Sequence, residues 1–264
     1  MHAVEAERAR LLADWSEFDD RDGSVTVATF TRRVSKDAAW CRLLHTLTAH
    51  LAPSTVVEMG TGVGISGAAI ATALPQDSLT WTVDLRPESG KKAREVFDRV
   101  GVFVFVVTGR FDEVLEEVLL EAEPIDLLFV DGHHEQQATL DYTEQAAQYL
   151  SDRAVVVYDD IHWSEGMTRA WAAIRSQDRW SFTADLGAVG VCALSAPGRL
   201  SPSTSPSRDI QALVAHQPDE VNVGKSVSEP TVVHEPVDSV PKVPEHTDQV
   251  FLGDSPLPEV MNIA

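Results

Sequence analysis

Two short stretches of this chain carry most of the groups able to do chemistry. One reads Phe129-Val130-Asp131-Gly132-His133-His134 and the other Tyr158-Asp159-Asp160-Ile161-His162-Trp163. Each closes a run of apolar residues, so each is read as the end of a buried strand, with its acids and imidazoles on one rim of a sheet. Carboxylates this close raise one another's pKa unless a cation neutralises them. A hard divalent ion, Mg²⁺ or Mn²⁺, held by Asp131, Asp159 and Asp160 is one answer; an acidic pocket without metal is the other. An imidazole is the natural proton acceptor near neutral pH, and His134 is the first choice for it. His133 has a simpler reading as a hydrogen-bonding loop residue, and His162 as a packing partner of Trp163.

A third stretch is suited to holding a ligand rather than reacting with it. Glu58-Met59-Gly60-Thr61-Gly62-Val63-Gly64-Ile65-Ser66-Gly67 follows a short β-branched run and precedes a helical one. Glycines at a strand-to-helix turn let a cofactor approach the backbone, and the helix start directs N–H groups at it. Two patterns overlap here. Gly62, Gly64 and Gly67 satisfy the dinucleotide fingerprint, with Asp84 at about the expected distance beyond. Gly60, Gly62 and Gly64, preceded by Glu58, form an acid-x-Gly-x-Gly-x-Gly turn instead. Asp84 ends the next strand, where a carboxylate accepts ribose hydroxyls in either case; the plainer alternatives are a helix-dipole or loop-stabilising carboxylate for Glu58 and a turn-forming acid for Asp84.

The elements that must position these groups follow from periodicity. Glu5–Phe18 and Ala38–Leu51 read as amphipathic helices separated by a break at residues 19–23, and Pro53 ends the second. Then strands at 55–59, 79–84, 102–107, 125–131 and 154–158 alternate with helices at 65–74, 88–100, 112–122, 136–150 and 165–176. Near-continuous apolar strands in strict alternation with helices predict a parallel sheet covered on both faces. Strands at 180–185 and 189–194 are joined by a short turn at Gly187, so the last must run antiparallel. The predicted fold class is therefore α/β, a Rossmann-like sheet of seven strands with the last antiparallel. Ser164 is the expected cap of the helix that follows it.

Taken together, Glu58 to Gly64, Asp84 and the two acid-and-histidine strand ends resemble the class I O-methyltransferase-like proteins. The match is closest to bacterial members whose fifth strand ends in a "DDIHWS--M--AW" segment, here Asp159 to Trp171. The resemblance covers about Ser35 to Leu194 and implies S-adenosylmethionine as cofactor. It places Gly60, Thr61, Gly62 and Gly64 at the cofactor's methionine end. Glu58 would hold the methionine ammonium, a role in which it would repel a dinucleotide pyrophosphate, and Asp84 would hold the ribose. Asp131 would face the methyl-donor site. The wider family includes catechol-type and sugar O-methyltransferases with a divalent metal, whose ligands by motif match become Asp131, Asp159 and Asp160. The catechol-type base is a lysine three residues after the first ligand, a position that is His134 here. In the third-strand loop, Gly109-Arg110-Phe111-Asp112, the family's acid is displaced, so either Phe111 covers the adenine or Asp112 caps a helix.

Composition narrows the partners. The chain has 264 residues and a formal net charge of −20. A field this acidic opposes nucleic acid and anionic membranes, and no basic patch overrides it. No apolar run approaches the length of a membrane helix. Cys41 and Cys192 are far apart and read as buried thiols in a reducing compartment, which with the absence of a signal-like N-terminus points to the cytoplasm. Ten of the 14 prolines fall in 197–264, a segment without apolar periodicity that reads as a disordered acidic tail. The expected organisation is a helical lid or cap over 1–52, a catalytic domain over 53–196 and that tail. The expected partner is a small-molecule hydroxyl acceptor, and a homodimer and a tail-bound protein are compatible with the sequence. Two other classes of function stay open: an NAD-dependent oxidoreductase using Gly62, Gly64 and Gly67, and a non-catalytic methyltransferase-like binding module.

Overall fold

The computed structural model describes residues 1–20 and 23–194; the expected tail at 197–264 lies outside them. Seven strands form one sheet. They are β3 (Thr55–Met59), β4 (Leu79–Asp84), β5 (Phe105–Thr108), β6 (Ile125–Val130), β7 (Leu150–Tyr158), β8 (Trp180–Asp185) and β9 (Gly190–Leu194). Their order across the sheet is β5-β4-β3-β6-β7-β9-β8. The pairs among β3 to β7 are parallel, while β9 runs antiparallel to both β7 and β8. This is the seven-stranded sheet with an antiparallel last strand that the alternation predicts.

Alternating strand residues feed two apolar layers, as a two-residue period requires. Met59, Leu128, Val130, Val156 and Tyr158 pack with α6 (Phe111–Ala122), α7 (Gln136–Ala147) and α8 (Glu165–Arg175), through Leu115, Tyr142 and Trp171. Val56, Leu127, Phe129, Val155 and Val157 face the other way, onto Leu44 and Leu47 of α3 (Ala38–Leu51) and Ile70 of α4 (Ile65–Ala71). A third cluster adds α5 (Pro87–Val100), through Ala93 and Phe97, on that second face. Strand order reverses between β3 and β6, and in such a sheet the crevice at the carboxyl ends of those two strands is where ligands bind.

The N-terminal segment differs from its expected form. The first helix, α1 (His2–Leu12), stops before Phe18, and β1 (Glu17–Asp20) and β2 (Gly23–Thr26) form an antiparallel two-stranded sheet in place of a simple break. A further helix follows, α2 (Val27–Val34), capped by the Thr26 hydroxyl accepting from the Thr29 N–H at 3.2 Å. The helical reading of 5–18 overran because Trp15 and Phe18 kept an apolar rhythm that period alone does not separate from a strand. The segment is also more than a cover: Val4, Leu11, Val27 and Phe30 are at most 1 % exposed and pack with Ala93 and Phe97. Asp37 caps α3 through the N–H groups of Ala39 and Trp40, and Ser164 caps α8 as expected. Cys41 and Cys192 are free and buried. No helix among the described residues is long and apolar enough to cross a membrane.

Candidate functional site

The glycine turn stands at the strand-order reversal and is locked to the neighbouring strand ends. The Gly60 N–H donates to Val83 O at 2.9 Å, and the Asp131 N–H donates to Met59 O at 2.8 Å. Gly60 has φ +110°, and a Cβ there would run into the Asp131 carbonyl. Only glycine allows that backbone conformation and that approach together. Asp84, at the end of β4, is set by two N–H donors at 2.9 Å each: Gly62 to Oδ2 and Arg86 to Oδ1. Its carboxyl is raised above the usual range by burial, against which those two bonds act.

A cavity of about 800 Å³ opens beside this turn, a volume suited to a drug-sized ligand. Gly60, Gly62, Asp84, Gly109 and Phe111 line its first half. Phe111 packs edge-on to Tyr142, with ring centroids 5.4 Å apart. Asp112 does not cap α6; it is exposed and holds the Arg110 guanidinium through two bonds of 2.9 and 2.8 Å.

Three residues expected at the cofactor, Glu58, Thr61 and Gly64, are not on the cavity wall; a Cβ on Gly64 would meet Ala93 Cα at 2.9 Å. Glu58 is fully buried and is not on the cavity wall. The Thr82 hydroxyl donates to Glu58 Oε2 at 2.7 Å. A hydroxyl has one proton to give, so the Thr61 hydroxyl, 2.8 Å from that of Thr82, must donate to it. This chain ties Thr61, Thr82 and Glu58 together beneath the turn. Burial pushes Glu58 up to about 8, against the Ser66 and Thr82 hydroxyls. Desolvation outweighs its hydrogen bonds and favours the neutral carboxyl, which sits beneath the turn and off the cavity wall.

The second half of the cavity is the acid and imidazole cluster. Asp131, Gly132, His133, His134, Asp160 and Trp163 line it. His134 Nε2 lies 3.8 Å from Asp131 Oδ1 and 3.7 Å from Asp160 Oδ2. Burial lowers the His134 pKa, opposed by Asp160, and so favours the neutral imidazole. Burial pushes Asp131 up to about 7, with Lys36 lowering it and Asp160 raising it further. His133, at φ +53°, is anchored by its Nδ1 to the Tyr142 hydroxyl at 2.8 Å. His162 does not join the cluster: its Nε2 lies 3.0 Å from Asp185 Oδ2, which also accepts from Trp171 Nε1 at 2.9 Å. The rim therefore gathers two imidazoles, not three.

Lys36, which the motif-based reading did not join to the acids of the two strand ends, also stands here. Its ammonium is ion-paired with Asp159 and lies 3.4 Å from Asp131 Oδ1. Asp159 is 2 % exposed. No local signal brings Lys36 to the acids, since its partner Asp159 is 123 positions away. The arrangement does not fit the expected divalent ion. Asp131 and Asp159 face an ammonium, Asp160 turns toward His134, and among the described residues no group of three or more His, Cys, Asp or Glu side chains is set to hold a metal. A lysine ammonium is a donor-only cation and answers the same excess of negative charge.

Residues 57–161 match the model of a family described as "Methyltransferase domain". A provisionally named O-methyltransferase of Mycobacterium marinum is 30% identical over 159 residues, 58% of this chain and 65% of that protein. One from Mycobacterium sp. (strain JLS) is 36% identical over 80 residues, 29% of this chain and 36% of that protein. The chain thus spans less than two thirds of the length of these curated relatives. Among solved structures, the O-methyltransferase from Bacillus cereus in complex with SAH has a TM-score of 0.59 at 19% identity, covering 74% of this chain and 91% of that one. TomG from Streptomyces achromogenes, an O-methyltransferase in complex with SAM, has a TM-score of 0.53 at 21% identity, covering 61% and 82%. The matched core, the mycobacterial relatives and the shared sheet bear out the resemblance to class I O-methyltransferase-like proteins.

Proposed function

We propose that this protein transfers a methyl group from S-adenosylmethionine to a hydroxyl of a small molecule. The observation that carries this reading is the continuity of one cavity: the glycine turn and Asp84 line one half, and Asp131 and His134 line the other. Asp84 accepts the ribose hydroxyls on the lone pairs that Gly62 and Arg86 leave, and Phe111 forms an apolar wall for the adenine. S-adenosylmethionine supplies an electrophilic methyl on a sulfonium and becomes a neutral thioether when the carbon–sulfur bond breaks.

The chain's own part is to hold the acceptor and take its proton. Neutral His134 accepts the hydroxyl proton at Nε2 as the oxygen–carbon bond forms, and Asp131 and Asp160 stabilise the imidazolium that results. The size of the cavity and the acidic field both favour a small acceptor over a nucleic acid. Of the two readings of the acid cluster, the pocket without metal is favoured, because Lys36 already neutralises Asp159 and Asp131.

Calorimetric titration with S-adenosylhomocysteine tests the donor site. The expected result is one site per chain, no comparable affinity for NAD, and a loss of at least ~10-fold in affinity on Asp84→Ala, the scale of one charge-assisted hydrogen bond. Tighter binding of NAD than of S-adenosylhomocysteine would move the reading to a dinucleotide enzyme.

A further inference from the structure

We propose that Lys36 is the resident cation of the acceptor site, so that the transfer runs without a divalent metal and with an ammonium hydrogen-bonding the acceptor oxygen. The inference rests on the methyl-transfer reading only for the acceptor; the placement of the cation stands on geometry alone. Three observations support it. The Lys36 ammonium pairs with Asp159 and lies 3.4 Å from Asp131 Oδ1, between two of the three carboxylates that a metal would need. An ammonium has three N–H donors, and these two partners leave one. Lys36 also lines the cavity with its side chain 15 % exposed, so that donor is accessible to a ligand in the same space as His134.

The chemistry balances without further reactants. The acceptor's O–H proton goes to His134, the oxygen forms its bond to the methyl carbon, and the carbon–sulfur electron pair stays on sulfur. Lys36 keeps its proton throughout. Its positive charge lowers the proton affinity of the acceptor oxygen, as a metal would, but its single remaining donor holds one oxygen rather than chelating two. The acceptor class that follows is a compound with one reacting hydroxyl, with no requirement for a second vicinal oxygen.

Binding of Mn²⁺, followed by the loss of the free ion's paramagnetic resonance signal, tests the placement without donor or acceptor. Wild-type protein is expected to bind no Mn²⁺ at millimolar concentration. Lys36→Met is expected to gain about one site per chain, lost again in the Lys36→Met, Asp159→Asn double variant. Stoichiometric Mn²⁺ binding by the wild type would overturn the proposal. So would a Lys36→Met variant that binds S-adenosylhomocysteine as the wild type does and yet takes up no Mn²⁺. If that variant fails to fold, the wild-type titration decides alone. Failure of the wild type to bind S-adenosylhomocysteine would instead count against the methyl-transfer reading, and the Mn²⁺ result would keep its meaning.

Discussion

Glu58 is the acid whose place in the structure departs furthest from its place in the motif. At the end of a glycine-flanked strand it reads as a ligand-holding carboxylate, yet it is fully buried beneath the turn and pushed up to about 8. The unfolded chain gives up this proton near the ordinary value of 4.5, whereas the folded protein keeps it to about 8. The folded state thus binds more protons between those two values, and stability falls as pH rises through that window. The contribution is fully present below the unfolded value. Each pH unit in the window weakens the fold by up to about 1.4 kcal/mol. Glu58→Gln keeps an acceptor for Thr82 and cannot ionise. We expect thermal unfolding midpoints for this variant to exceed wild type by several degrees at pH 8 and to differ little at pH 5. Its affinity for S-adenosylhomocysteine is expected to hold, because the carboxyl does not reach the cavity; a large loss would return Glu58 to the ligand.

At the level of elements, the core was legible because its signals are local. Strands such as Ile125–Val130 are apolar apart from Asp126, and a short link at Gly187 leaves the last strand only an antiparallel course. The site was legible where it lies at strand ends, as with Asp84, Asp131 and His134. It was not legible where a contact joins distant segments. The Lys36 pair with Asp159 is one case, and the turning of His162 to Asp185, 23 positions on, is another. The N-terminal hairpin was missed because strands of four residues carry too few periods to stand out. The glycine turn is where element geometry is most exacting. Gly60→Ala puts a methyl group against the Asp131 carbonyl in a left-handed backbone. We expect a destabilisation of at least ~1–3 kcal/mol in denaturant unfolding, together with loss of S-adenosylhomocysteine binding as the turn and the Asp131 strand end separate. Unchanged unfolding would show that the turn relaxes freely.

For the described molecule as a whole, the N-terminal segment is both core and site. Val4, Leu11, Val27 and Phe30 are buried against α5 and its surroundings, and each buried apolar side chain of this kind contributes roughly 1.5–3 kcal/mol. Four of them match the net stability of an ordinary domain, ~5–15 kcal/mol. Removal of residues 1–36 is therefore expected to yield an aggregating or unfolded chain, read by circular dichroism and gel filtration, and not a folded chain with an opened cavity. Val34 also packs at the glycine turn: a Cβ on Gly62 would meet Val34 Cγ2 at 3.2 Å. The span between Lys36 and Asp159 has a further consequence for biosynthesis. The ammonium leaves the ribosome long before either carboxylate that neutralises it, and β7 follows most of the sheet. A chain halted short of residue 159 has neither the Asp159 partner of Lys36 nor the β8–β9 hairpin that pairs with β7, so this rim of the sheet is completed only as the last strands are made.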